Sequence, residues 1–212
     1  MKYADLHIHS SFSDGKLTPE QILEIACKKE IKYISITDHD SIDSQYITRE
    51  ANDKVTIIPG IELSSEIDDF EIHILGYFIN IDDDKLNETV NSLKKERIKR
   101  VELIIEKLKE QGVYLNIEDI MKNNLCIGRA HIANEIVRCG YEENFKSAFL
   151  KYLIKGKPAY VKGNKLTYKK ALKIINDANG IAVLAHPGKI YRSMSIEKIV
   201  KDAYDYGRGG SR

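Results

Sequence analysis

Tryptophan is absent from this 212-residue chain, and cysteine occurs three times, proline four times and histidine six. The cysteines, Cys27, Cys126 and Cys139, are odd in number and far apart. That argues against a disulfide framework or a four-cysteine zinc site and suits a reducing compartment. Charge of neither sign dominates: 33 basic and 32 acidic residues leave a net +1. No global field therefore favours nucleic acid or a membrane surface, and a small anionic ligand would have to be held by local features. No apolar run approaches a membrane span. The N-terminus carries Asp5 and two histidines where a signal peptide would hold an apolar stretch. The expectation from these absences is a cytoplasmic protein with no membrane partner. With 42% apolar residues, the chain suffices for one sizeable core, or a core with an inserted lobe.

Strand and helix patterns alternate along the first third. Residues 2–8 read as a short strand. "TPEQILEIACKKE" reads as a helix, with Thr18 as N-cap, Pro19 at the first position and an apolar stripe of Ile22, Ile25 and Ala26. "IKYISITDHD" is a second strand, a helix covers roughly 41–53, and "VTIIPGIELS" and "EIHILGYFIN" are two more strands. The alternation predicts an α/β fold with a largely parallel sheet. From Asp82 to about Gly112 runs a long charged helix, followed by shorter helical segments near 117–123, 130–139 and 143–154. The pattern returns with a helix at 167–178, the strand "GIAVLAHPG" and a helix from about 195. The expected organisation is thus an α/β part over 1–80, a helical insertion over 81–165, an α/β continuation over 166–206 and a frayed or artificial tail over 207–212.

Side chains alternate faces along a strand, so Asp5, His7 and His9 are expected to project together. Two imidazoles on one face can grip one metal ion. An isolated His-x-His also reads as an ordinary buried strand. The other histidines decide between the two. His39 follows the second strand in "TDHD", Glu62 ends the third in "PGIEL", His73 lies in the fourth and His186 ends the fifth in "AVLAHPG". Asp14 follows a turn made by "SFSDG" and would reach a neighbouring ion. Active sites of α/β proteins gather at the C-terminal ends of strands, and structural histidines have no reason to recur there. The donors are imidazole and carboxylate without thiolate, which suits Zn, Mn or Fe. They are too many for one tetrahedral ion, so a cluster of two or three divalent cations is expected, with Glu62 bridging. Such clusters clamp a phosphoryl centre and make a hydroxide nucleophile available near neutral pH. The same chemistry would serve amide or amidine hydrolysis.

"DLHIHSSFSDG", "ITDHD", "GIELS", the strand with His73, and "AVLAHPG" resemble the successive motifs of the PHP (polymerase and histidinol phosphatase) superfamily, in order from residue 5 to 188. The resemblance implies a distorted (β/α)7 barrel with a metal cluster at its C-terminal mouth, and a phosphoesterase. It makes His7 and His9 ligands of a first metal, Glu62 a bridge and catalytic group, Asp14 and His39 ligands of a second metal, and His73 and His186 ligands of a third. Asp5 and Asp38 resemble groups that orient imidazoles from behind. Asp14 in "SDG" sits where histidinol phosphatases usually carry a histidine. The pattern is closer to small members acting on nucleoside 3′,5′-bisphosphates or short 5′-phosphorylated oligonucleotides. Those members also carry a helical insertion with an "RxH" signature, here "GRAHIANEIV". Arg129 would then present its planar fork to a phosphate, and His131 would bind that phosphate or donate a proton to the leaving group. The basic loop "KGKPAYVKG", with Lys155, Lys157, Tyr160 and Lys162, would border the cleft or lie exposed.

The family normally closes its barrel with further strands and a late Asp-x-His motif, and no histidine follows His186. The expectation is a barrel truncated at its C-terminus, with an open edge through which copies could pair. The leading expectation is a metal-dependent phosphoesterase of nucleotides or short oligonucleotides. The alternatives are a sugar- or amino-alcohol-phosphate phosphatase and a non-catalytic metal-binding module.

Overall fold

Isoleucine sets the first sheet. In β2 (Tyr33–Ile36), Ile34 and Ile36 are fully buried, and they pack with Ile22, Leu23 and Ala26 of α1 (Pro19–Lys28). The α1 start is fixed by reciprocal capping. Thr18 Oγ1 accepts from the Gln21 amide at 3.4 Å, and Gln21 Oε1 accepts from the Thr18 amide at 3.0 Å. β1 (Ala4–Ile8) and β3 (Thr56–Ile57) flank β2, and all three run parallel. The computed structural model describes residues 3–49, 54–67, 70–122 and 127–189, together with 197, 199–201 and 204–205.

A second, four-stranded sheet has the order β6–β4–β5–β7, from β4 (Gly60–Ile67), β5 (Phe70–Tyr77), β6 (Leu166–Thr167) and β7 (Ile181–Leu184). Here the structure departs from the sequence expectation twice. "VTIIPGIELS" is two strands in two sheets, broken at Pro59, which has no amide to donate to a ladder. β4 and β5 are antiparallel, from Gly60↔Tyr77 to Ile67↔Phe70, so this second sheet is mixed, where a largely parallel one was expected. The reason is chain length. Two residues separate Ile67 from Phe70, and a parallel crossover needs a dozen or more.

The chain divides into two compact units, Met1–Asn91 with Lys165–Arg212, and Ser92–Asn164. In the first, α2 (Asp43–Thr48) follows β2, and α7 (Tyr168–Asp177) packs on the second sheet through Ala171, Leu172, Ile174 and Ile175. Thr167 caps α7, accepting from the Lys170 amide at 3.3 Å. α2 is shorter than expected, and residues 50–53 of that expectation lie outside the described residues. The long helix α3 (Asp84–Lys109) starts in this unit, where Asp83 Oδ1 caps it by accepting from the Leu86 amide at 2.8 Å and Leu86 is fully buried.

The second unit is helical. It contains the rest of α3, α4 (Ile117–Lys122), α5 (Arg129–Arg138) and α6 (Phe145–Ala148), which continues into a π-helical turn at Phe149–Leu153. Its core is Ile104, Leu108, Ile132, Ile136 and Leu153, all fully buried. Cys126 and the 207–212 tail lie outside the described residues, and the helix expected from about 195 is described only at 197, 199–201 and 204–205. Among the described residues, no helix is long and apolar enough to cross a membrane.

Candidate metal centre

Glu62 is the third residue of β4, and its side chain is fully buried. An ionised carboxylate removed from water costs several kcal/mol unless it is paired. Five imidazoles surround it. Oε2 lies 3.1 Å from His7 Nε2, 3.1 Å from His9 Nε2 and 3.4 Å from His39 Nδ1. Oε1 lies 3.0 Å from His73 Nδ1 and 2.9 Å from His186 Nε2. The fold delivers these groups from separate elements: His7 from β1, His9 just after it, His39 from the loop after β2, His73 from β5 and His186 from the turn after β7. Glu62 does not end its strand. It stands beside the strand ends because the 38–40 loop is pinned onto β4. The Glu62 amide donates to Asp38 O at 3.1 Å, and the Asp40 amide donates to Glu62 O at 3.0 Å.

Backbone geometry is under tension here. His186 has φ 29° and Asp40 φ 51°, a region non-glycine residues seldom occupy. The loop from Ser10 to Gly15 folds back on itself, with the Gly15 and Ser13 amides both donating to Ser10 O at 3.0 Å. A Cβ at Gly15 would stand 2.1 Å from His9 O, so only glycine permits this approach. The turn brings the exposed Asp14 within 3.6 Å of His9 Nδ1 and 3.9 Å of His39 Nε2.

Protons on the imidazoles compensate Glu62. Burial alone would raise its carboxyl, but hydrogen bonds from His73 and His9, the charge of His39 and the bond from His7 outweigh it and hold Glu62 far below the usual carboxylate range. Burial opposes charging of His73, yet its bonds to Glu62 and Glu71 raise it to about 9. His9 is raised in the same way, against burial, by Glu62 and Asp14. His39 is lowered, first by burial and then by the neighbouring imidazoles His9 and His73.

These contacts test whether the residues fit a metal. His7 Nε2 and His9 Nε2 are 3.2 Å apart, and both face the same Glu62 oxygen. Protons hold that triangle only at a cost: both nitrogens donate to one oxygen and crowd each other, and loss of either proton turns a lone pair on the carboxylate. A cation makes all three lone pairs attractive. Three groups place donor atoms within 4.8 Å of one another: His7, His9 and Glu62; His9, Asp14 and His39; His39, Glu62 and His73. The donor set fits divalent cations. His9 and His39 each belong to two groups, so sharing of donors extends beyond Glu62.

The two acids expected to orient imidazoles differ. Asp38 is fully buried and saturated: it accepts from the Ser10 amide at 2.7 Å, Ser10 Oγ at 2.7 Å and Ser13 Oγ at 2.6 Å. Ser13 Oγ is also 3.4 Å from His9 Nδ1, so Asp38 reaches an imidazole only through Ser13. Asp5 is exposed and borders a groove with Ile22, Ile25 and Ile31, away from the imidazoles. Strict alternation would put it with His7, but the register of β1 against β2 shifts between Asp5 and Ile8. Sequence reasoning missed Ser10, Ser13, Glu71 and Lys165. Only Glu71, two residues before His73 on the same strand, left a signal.

Arg129 and His131 belong to the second unit. Arg129 Nη1 donates to Leu153 O at 3.3 Å, and its guanidinium lies 5.5 Å from the Phe149 ring centre and 6.0 Å from that of Tyr160. His131 Nδ1 accepts from the Gly128 amide at 3.1 Å, capping its own helix start.

A mixed α/β scaffold that gathers imidazoles around a buried carboxylate has the donor set of a divalent-metal site. The chain is a member of the PHP domain family, whose model matches residues 5–182. It is 34% identical over 191 residues to the 5′-3′ exoribonuclease Rnm of Escherichia coli, covering 87% of this chain and 65% of that protein. It thus spans about two thirds of that relative's length. It is 29% identical to the 3′,5′-nucleoside bisphosphate phosphatase of Chromobacterium violaceum, covering 99% of this chain and 76% of the relative. A solved structure from Chromobacterium violaceum, described as an amidohydrolase with bound sulfate and no metal, superposes with a TM-score of 0.81 at 28% identity, over 98% of this chain and 74% of that one.

Proposed function

We propose that this chain carries the metal centre of a phosphoesterase that hydrolyses a phosphate ester of a nucleotide or short oligonucleotide. The observation that carries this reading is the fully buried Glu62 ringed by five imidazoles with no arginine or lysine at its oxygens among its described contacts. The relatives named as a 5′-3′ exoribonuclease and a nucleoside bisphosphate phosphatase support the choice of substrate class.

His7, His9 and Glu62 would hold one cation, His9, Asp14 and His39 a second, and Glu62 with His39, His73 and His186 a third. Mn, Zn and Fe suit this donor set. When bound, such ions supply Lewis acidity toward a phosphoryl oxygen and acidify a water nucleophile. The chain's own residues do the rest. Glu62 keeps its charge without a proton and brings two oxygens to the centre. Ser13, anchored on Asp38, holds His9 in place. Gly15 permits the turn that presents Asp14, the exposed carboxylate on the open side. Arg129 and His131 are assigned to the substrate phosphate, Arg129 by its fork and His131 as a donor.

The test is a panel of phosphoesters with Mn2+: nucleoside 3′,5′-bisphosphates, short 5′-phosphorylated oligonucleotides, sugar phosphates and histidinol phosphate. Turnover is expected for the first two classes. Preference for the last two would replace the substrate assignment, and no turnover of any would leave a metal-binding module. Arg129→Ala should raise KM with little change in kcat, because a contact remote from the reacting atom contributes uniform binding.

A further inference from the structure

Glu71 and His73 stand two residues apart on β5 and so share a face. The His73 ring bridges two carboxylates. Its Nδ1 lies 3.0 Å from Glu62 Oε1, and its Nε2 lies 3.2 Å from Glu71 Oε1. The second oxygen of Glu71 is 2.5 Å from Lys165 Nζ. Lys165 directly precedes β6, which pairs in parallel with β4 at Ser65↔Leu166. A strand far along the sequence thus delivers a cation to the side of Glu71 opposite His73.

An imidazole has two nitrogens, and the bond made by one decides which lone pair the other offers. Glu71 as a carboxylate only accepts, so the nitrogen facing it carries the proton. Lys165, paired to the other Glu71 oxygen, aims the carboxylate. As a partly exposed ion pair alone, Glu71 and Lys165 would contribute little stability. Their value lies in direction. On the reading that the cluster binds divalent cations, we propose that Glu71, clamped by Lys165, is a positioning residue that fixes His73 with its proton on Nε2 and its Nδ1 lone pair toward Glu62.

Zn2+ titration calorimetry and 1H–15N imidazole correlation spectra of the Zn2+-loaded protein test this directly. The parent should show His73 with a protonated Nε2. Glu71→Ala should weaken Zn2+ binding about 10- to 100-fold, the usual cost of removing a partner behind a metal ligand. Glu71→Gln keeps an acceptor and should stay closer to the parent than to Glu71→Ala. Lys165→Met should give a smaller loss of the same sign. In a His73→Ala background, Glu71→Ala should add nothing. A protonated Nδ1 on His73 would overturn the proposal even if Glu71→Ala fails to fold. So would parent-like Zn2+ affinity in a folded Glu71→Ala protein whose His73→Ala counterpart is impaired. Unchanged Zn2+ affinity in His73→Ala itself would instead overturn the assignment of His73 to the metal centre.

Discussion

Among the described residues each unit of the molecule buries one glutamate, and the two are neutralised in different ways. Glu135, on α5 of the helical unit, is buried, and Arg138 grips it with two bonds, Nε to Oε2 at 2.7 Å and Nη2 to Oε1 at 2.5 Å. The pair sits three residues apart on one helix, so secondary structure alone brings it together. Glu62, in the α/β unit, meets five imidazoles from four separate segments of the chain. Arginine is a permanent cation, whereas an imidazole can surrender its proton and offer a lone pair. Glu135 is therefore finished as it stands, and Glu62 is arranged so that metal cations can take the place of protons.

The largest effect should come from Glu62→Gln, which keeps the volume and removes the charge. Zn2+ and Mn2+ affinity should fall by more than about 100-fold, since even a partner behind a ligand costs 10- to 100-fold. Calorimetric titration measures this, and Glu135→Gln should leave the affinity unchanged. If the two variants behave alike, the contrast fails.

Chelation comes next. Adding divalent cation at about 100 times its Kd should stabilise the folded protein by about 2.7 kcal/mol, and EDTA should reverse the gain. Thermal melts should show the shift in the parent and not in Glu62→Gln.

Arg138→Ala reverses the roles. It takes away both bonds that hold the Glu135 carboxylate and should lower the midpoint of denaturant unfolding, while metal affinity holds at the parent value.

The mildest break is pH. In the metal-free protein His73 titrates at about 9. Below that value a proton competes for the nitrogen a metal would use, so affinity should weaken by up to about tenfold per pH unit below 9 and level off above it. The metal-free fold shows the opposite trend. Its stabilisation by charged His73 is fully present below about 6.5, the value of an unperturbed imidazole, and is lost as pH rises through 9. Titrations at several pH values, paired with melts of the apo-protein, check both signs.

Much of the centre was legible in the chain, because strand periodicity and strand ends are local properties. His7 and His9 share a face by alternation, and His39 and His186 follow apolar strands closely. Asp5 misled for the same reason: alternation is local, but a register shift is a property of two strands together. The hairpin of β4 and β5 was also written in the sequence, in the short span between Ile67 and Phe70.

By itself the sequence determined which donors exist, that they are imidazole and carboxylate, and that His9, His39 and His186 closely follow strands. Those features depend on side-chain chemistry and on periods of two and 3.6 residues. Only the tertiary structure decided that Glu62 stands at the centre rather than at a strand end, that Asp38 acts through Ser13, and that Lys165 backs Glu71, 94 positions away. Each of these depends on which strand lies beside which. Pairing between distant segments is fixed by the packing of the whole sheet, not by any short stretch of residues.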